Sequence, residues 1–237
     1  MRFFLDKQTI EQGVMFGDDA KHLRDVLRVK IGEEIVLCDE FQYDYVCKVT
    51  GINKSHIEYD IVRQEPNQNE PSTKITIYQG LPKSPKLDVI IQKAVEIGVY
   101  EIVLVETIRS IVKVKDVEKK LDRWQKISKS ASMQSKRGIV PAVRYARFDD
   151  AILEADGHNL SLIAYENEGT LSLKQALANN NECSRIAIYI GPEGGFSEEE
   201  VHKATSQGLI SVSLGKRILR TETAPLVMAS QILYEYE

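Results

Sequence analysis

The pattern of apolar and polar positions changes character about a third of the way along the chain. In the first part, "GEEIVLCDE", "YDYVCKVTGI" and "SHIEYDIV" are short runs of β-forming residues broken by Gly, Asn and Asp. They predict the strands of a small β-barrel. "HLRDVLRVK", residues 22–30, sets Leu23, Val26 and Leu27 at helical spacing and predicts one short helix there. "QEPNQNEPS", residues 64–72, has two prolines and no apolar side chain, which predicts a linker. Beyond it, apolar runs alternate with amphipathic stretches. "KITIYQG", "EIVLVE", "LSLIAYE", "RIAIYIG" and "ISVSLG" are mostly apolar on both faces, as strands of a covered parallel sheet are. Between them, Leu87, Ile90, Ile91, Ala94 and Val95 recur at helical spacing, with Pro85 in the first turn and Gly98 as a stop. Leu121, Trp124, Ile127 and Ala131 mark a second buried stripe, with lysines on the other side. Strands alternating with helices mean an α/β fold with right-handed crossovers.

At 237 residues and 43% apolar content, the chain holds one large domain or two of unequal size. Cys38, Cys47 and Cys183 are odd in number and lack C-x-x-C spacing, which predicts reduced, packed thiols. The four histidines have no ligand spacing, so no metal is expected. No apolar run approaches the ~20 residues that span a bilayer, and "MRFFLDKQTI" lacks a signal-peptide core, so a soluble cytoplasmic protein is expected. A net charge of −4 argues against nucleic acid, but its distribution argues the other way. Between Thr107 and Arg147, twelve Lys or Arg face three acids, a balance of +9 that leaves −13 for the remainder. Such a segment is either the solvated face of a helix or the footprint of a polyanion site.

Two loops carry candidate chemistry. "IGPEGGFSEEE", residues 190–200, follows a strand, and ligands of open parallel sheets sit beyond the carboxyl ends of strands. It matches neither of the glycine-rich phosphate motifs. Ser197 as N-cap, Glu200 closing a capping box and Phe196 against Val201 as a hydrophobic staple form a complete helix start. Glu198, Glu199 and Glu200 complement the positive end of that helix, which is thereby unavailable to an anion. The glycines then admit a neutral or cationic ligand to bare backbone, or form a tight turn with no ligand. The second loop lies within "LGKRILRTETAPLVMASQILYE", where Thr223 is an expected cap and Pro225 falls in the first helical turn. Arg220, Thr221 and Glu222 precede that helix, and Arg220 with Glu222 is either a site or an ion pair that orders the loop.

"GPEGGFSEEE" and "LGKRILRTETA", with "LDVIIQKAVEIGV" and "RWQKISKSASMQSKRGIVP" upstream, resemble the bacterial 16S rRNA (uracil-N3)-methyltransferases of the SPOUT superfamily. "HLRDVLRVKIGEEI" extends the likeness through the amino-terminal part. The pairing of the two loop motifs makes the likeness specific. It departs from the family pattern at Ser130, Met133 and Lys136, and Ser84 stands where a glycine is expected. The resemblance implies a PUA-like β-barrel over residues 1–70 that binds RNA. Residues 73–237 would then form a SPOUT-type parallel sheet with a carboxyl-terminal trefoil knot, in a homodimer. It implies S-adenosylmethionine as cofactor, held by Gly191, Pro192, Glu193, Gly194, Leu214, Gly215, Ile218, Leu219, Arg220 and Thr223. Tyr165 and Glu166 would form a third wall. A sulfonium cation beside a neutral adenine suits a loop averse to anions.

The implied reaction is methyl transfer to N3 of a uridine in 16S rRNA of the small ribosomal subunit. Glu222 is the expected general base and Arg220 the expected stabiliser of charge on a uracil oxygen; Gln92 and Glu96 are lesser candidates for the target nucleotide. Expected RNA contacts are Arg24, Arg28, Lys83, Arg109, Lys119, Lys120, Arg123, Gln134 and Arg137. Leu226, Val227, Ala229, Ile232 and Leu233 give the last helix a broad apolar face for subunit contact. The competing readings are a related knotted methyltransferase acting on tRNA or on ribose, and a non-catalytic RNA-binding assembly factor.

Overall fold

A computed structural model of the chain describes residues 1–39, 43–110, 117–180 and 183–237, except the side chains of Ser84 and Glu118. Lys113, Lys115 and Asp116 of the basic stretch lie outside the described residues. The chain divides into two compact units, Met1–Glu70 with Ser132–Val140, and Pro71–Ala131 with Pro141–Glu237. Among the described residues no helix is long and apolar enough to cross a membrane.

The first unit is built on a mixed sheet of β1 (Arg2–Phe4), β2 (Val14–Phe16), β3 (Glu34–Cys38), β4 (Tyr43–Ile52) and β5 (His56–Pro66). The order is β1-β3-β4-β5-β2, with β1 parallel to β3 and the other pairs antiparallel. β5 reaches Pro66, so the expected linker begins later: Tyr43 pairs with Pro66 and Tyr45 with Gln64. A backbone ladder needs no apolar side chains to continue, which is why composition alone misplaced the end. α1 (Lys7–Glu11) is capped by Asp6, which accepts from the Thr9 amide at 2.9 Å. α2 (Gly17–Lys21) runs into a π-helical turn, His22–Val26. Leu23 is buried as the spacing predicts, but Val26 and Leu27 are 64% and 40% exposed. The wider turn of a π-helix rotates them off the face that a 3.6-residue period assigns.

Residues 132–140 return to this unit. Arg137, 3% exposed, forms an ion pair with Glu70. The Gly138 amide donates to Glu70 at 2.7 Å, and Cys38 Sγ donates to the Gly138 carbonyl at 3.1 Å. Met133 packs on the unit's core of Phe3, Leu23, Ile35, Leu37 and Tyr59.

The second unit holds six parallel strands: β6 (Lys74–Gly80), β7 (Glu101–Glu106), β8 (Ala142–Arg147), β9 (Leu160–Ala164), β10 (Arg185–Ile190) and β11 (Ile210–Val212). Their order is β11-β9-β10-β6-β7-β8. Helices α3 (Ser84–Ile97), α4 (Val117–Gln134), α5 (Phe148–Leu153), α6 (Leu173–Ala178), α7 (Glu198–Ser206) and α8 (Ala224–Tyr236) complete it. The last residues of α4 belong to the first unit. Two cores cover the sheet. Ile75, Ile77, Ile186 and Ile188 pack with Leu87, Ile91, Met228 and Ile232 of α3 and α8. Tyr78, Val103, Ala187 and Tyr189 pack with Phe148, Ala151 and Ala204 of α5 and α7. Burial on both faces is what the continuous apolar strands require. The sequence reading lacked β8. Its Arg144 breaks the apolar run and is neutralised by Glu101 at 2.8 Å and by Glu154.

α3 buries all five predicted positions and stops at Gly98 in the left-handed region, φ 117°. In α8, Ala229 and Ile232 of the expected contact face are fully buried within the subunit's own core, while Leu226, Val227 and Leu233 are half-buried.

Candidate functional site

A cavity of about 510 Å³ lies beyond the carboxyl ends of the second unit's strands. Segments following three neighbouring strands wall it: Tyr165 and Glu166 after β9, Gly191–Gly195 after β10, and Ser213–Thr221 after β11. Lys86, in the first turn of α3, completes the wall. Of the residues named for the cofactor, all but Thr223 line this cavity. Thr223 stands at the N-cap position of α8 in helical conformation and makes no side-chain cap, so the cap expected of it is absent.

The glycine loop is shaped by close backbone approach. A Cβ on Gly191 would lie 2.9 Å from the backbone of Gly195, and one on Gly195, where φ is +67°, would lie 2.5 Å from a Glu166 carboxylate oxygen. Just beyond, Ser197 caps α7 and the capping box with Glu200 is complete. Glu200 is 1% exposed. One of its oxygens accepts from the Ser197 amide at 2.9 Å and the other from the Ile108 amide at 2.8 Å. The positive end of α7 is thus consumed internally. Phe196 and Val201 lie in the same apolar cluster, as a staple requires.

A polar latch joins the two loops. Gln79, at the end of β6, is fully buried and donates to Thr221 Oγ1 at 3.0 Å and to the Gly80 carbonyl at 2.9 Å. Thr221 Oγ1 in turn donates to the Gly191 carbonyl at 2.8 Å. Gly80 sits under Pro192, where a Cβ would approach the ring to 2.6 Å. Sequence reasoning placed Thr221 on the candidate loop without a role and missed Gln79. The one signal for Gln79 is a long polar side chain near the end of a mostly apolar strand.

The charged groups are arranged differently from the expected Arg220–Glu222 pair. Glu222 meets Lys86 at 3.2 Å, and Arg220 is 3.9 Å away with its side chain 81% exposed. Lys86 also meets Glu193 at 3.4 Å, and Glu193 accepts from the Lys83 amide at 3.1 Å. Its own backbone amide, then Lys86 and Arg220, hold the Glu222 carboxyl below the ordinary range against partial burial. Burial works to raise Glu193, but backbone amides and Lys86 leave it lowered as well. Lys86 is raised, chiefly by Glu222. It had no place in the sequence reading, because its partners lie more than a hundred residues away.

The residues expected to contact RNA fall into three groups. Lys119, Lys83 and Arg28 are exposed, and Gln134 is exposed at the end of α4; Lys120 is half-buried. Arg109, Arg24 and Arg123 are committed to neighbours: Arg109 donates to the Gly194 carbonyl at 2.8 Å, Arg24 pairs with Asp25, and Arg123 pairs with Asp88. Arg137 is buried against Glu70 and does not belong to an exposed basic face. With Arg144 neutralised too, the local balance of +9 overstates the field this segment presents. Glu96 is held by Lys93 at 2.7 Å and Gln92 is exposed.

Residues 68–233 match the family described as RNA methyltransferase domain, and residues 17–62 match the RNA methyltransferase PUA domain. The ribosomal RNA small subunit methyltransferase E of Bacillus subtilis (strain 168) is 34% identical over 248 residues, covering 100% of this chain and 97% of that protein. The protein of the same name from Mesomycoplasma hyopneumoniae (strain 232) is 30% identical, covering 98% of each. The crystal structure of a ribosomal RNA small subunit methyltransferase E from Neisseria gonorrhoeae bound to S-adenosyl methionine is 33% identical. It superposes with a TM-score of 0.90 over 99% of this chain and 97% of that one.

Proposed function

We propose that this chain, which belongs to the family of RNA methyltransferases carrying a PUA domain, methylates N3 of a uridine in 16S ribosomal RNA. It is an S-adenosylmethionine-dependent methyltransferase of small-subunit ribosomal RNA. The observation that carries the reading is the cavity itself. Bare glycine backbone faces it, the start of α7 just beyond the glycine loop is satisfied by its own capping box, and Glu166 and Glu193 stand on a wall that also carries Lys86, Lys216, Arg217 and Arg220. With the positive end of α7 consumed, the glycine loop is no phosphate cradle, and its bare backbone suits an uncharged purine carried by a sulfonium compound.

When bound, S-adenosylmethionine supplies an electrophilic methyl group on a positively charged sulfur. Gly191, Pro192, Gly194, Leu214, Gly215 and Leu219 would hold it, with Tyr165 and Glu166 as the third wall. Arg220 is free to reach a uracil carbonyl oxygen and to stabilise the negative charge that spreads there as the N3–H bond weakens. Glu222 is ionised at neutral pH, so it can accept a hydrogen bond from N3–H and then the proton, which passes to water. Because the imide pKa is about 9 to 10 and the Glu222 carboxyl is lowered, Glu222 is a weak base, and orientation of the imide contributes more than proton affinity.

The same family likeness supports a carboxyl-terminal trefoil knot, a homodimer and a cytoplasmic site of action. Exposed Arg28, Lys83 and Lys119 are the RNA contacts we favour. The test pairs two measurements. Calorimetry should show binding of S-adenosylmethionine or its demethylated product, and mass mapping of treated 16S rRNA should show one added methyl on a uracil base. Tighter binding of ATP, or a methyl on ribose, refutes the assignment.

A further inference from the structure

Lys86 occupies the first turn of α3, where a cation opposes the helix dipole. A lysine there needs local compensation, and two loops supply it: Glu193 from the glycine loop and Glu222 from the segment before α8. One Glu222 oxygen is buried, and among the described residues its close charge partner is the Lys86 ammonium at 3.2 Å. The other oxygen faces Arg220 at 3.9 Å, the limit of an ion pair, and the Arg220 side chain is 81% exposed. Two carboxylates and two cations therefore meet at one corner of the cavity. Lys86 takes both carboxylates, and Arg220 takes neither closely.

We infer that Lys86 is a positioning residue for methyl transfer: by neutralising Glu222 and tethering Glu193 it keeps the Arg220 guanidinium free for the target base. This rests on the function proposed above, but its central claim concerns the ligand-free protein. Without Lys86, two acids would face one cation, and Arg220 would collapse onto Glu222. The groups facing Glu222 are Lys86 from α3, Glu193 from the glycine loop and Arg220 from its own segment. The raised proton affinity of Lys86 and the lowered one of Glu222 agree with a pair that is charged on both sides at neutral pH.

The experiment compares wild type, K86M, K86R and the double variant K86M/E222Q, with K86Q in reserve should K86M not fold. The first readout is the rate of Arg220 modification by butanedione in ligand-free protein, mapped by mass spectrometry. K86M should slow it several-fold, K86R should leave it near wild type, and K86M/E222Q should restore it, since the carboxylate on Arg220's own segment is then gone. The second readout is the Glu222 carboxyl titration by carbon NMR, whose midpoint should rise in K86M. The third is single-turnover methylation at saturating cofactor and RNA. There K86M should lose on the order of 10²-fold, as for loss of one donor to a developing oxyanion, and K86R should recover most of it. Unchanged Arg220 reactivity in K86M overturns the inference, as does a rate loss that follows a lower melting temperature and is not recovered by arginine. If wild-type protein fails to bind S-adenosylmethionine, the functional proposal falls, while the butanedione and titration results still decide the role of Lys86.

Discussion

Replacing Gly191 with alanine should unfasten the candidate cofactor wall. The added Cβ would stand 2.9 Å from both Cα and the carbonyl carbon of Gly195 and 3.0 Å from the Phe196 nitrogen. These are backbone atoms leading into the capped start of α7, so no side-chain rotation relieves the contact. Ordinary contact begins at 3.4 Å, and one of the two backbone strands must shift by roughly half an ångström. The Gly191 carbonyl moves with it, stretching its 2.8 Å bond from Thr221. Overpacking costs about 1–3 kcal/mol and a weakened buried hydrogen bond about 1 kcal/mol more. A combined loss of about 3 kcal/mol, the middle of that range, would lower the melting temperature by about 6–12 °C in a chain of this size. Because the displaced backbone is the wall itself, affinity for S-adenosylmethionine should fall at least ~10-fold, equivalent to about 1.4 kcal/mol. Differential scanning calorimetry and titration calorimetry measure the two effects. Gly194→Ala is the control, since its Cβ would meet the side chain of Arg109 at 3.3 Å, and it should change stability by no more than about 0.5 kcal/mol. A Gly191→Ala protein that melts and binds like wild type would show that the loop has slack and that its glycine is not dictated by packing.

Three further outcomes are expected. Thr221→Val removes the hydroxyl that links Gln79 to Gly191 and should cost about 1–3 kcal/mol and weaken cofactor binding, whereas Thr221→Ser should not; equal behaviour of the two variants in calorimetry would sink the latch. Glu168 is lowered to about 2, first by the Thr170 hydroxyl and then by the Thr170 amide. Its contribution to stability is therefore present above the ordinary carboxyl value and is lost as pH falls through about 2. Urea unfolding of Glu168→Gln should accordingly show a shallower decline across that window than wild type. Reversing Lys119 and Lys120 to glutamate should reduce the salt dependence of RNA affinity by about 0.7–0.9 per lost phosphate contact, and an unchanged slope returns these lysines to a solvated helix face.

Local rules were enough to determine α3 and the start of α7. Leu87, Ile90, Ile91, Ala94 and Val95 announce a buried helical stripe, and Ser197 with Glu200 announces a cap, because both signals lie within a few residues of each other. The apolar strands likewise declared a sheet covered on both faces. Only the tertiary structure decided β8, whose Arg144 is tolerable because Glu101 and Glu154 reach it from elsewhere in the chain. It also decided that residues 132–140 rejoin the first unit through Glu70 and Cys38. In the site, sequence singled out both loops but paired Arg220 with the nearer acid. The fold instead brings Lys86 to Glu222, across a separation that leaves no periodic trace. Charge partners are chosen by distance in space, and hydrophobic periodicity records only which face of an element is covered.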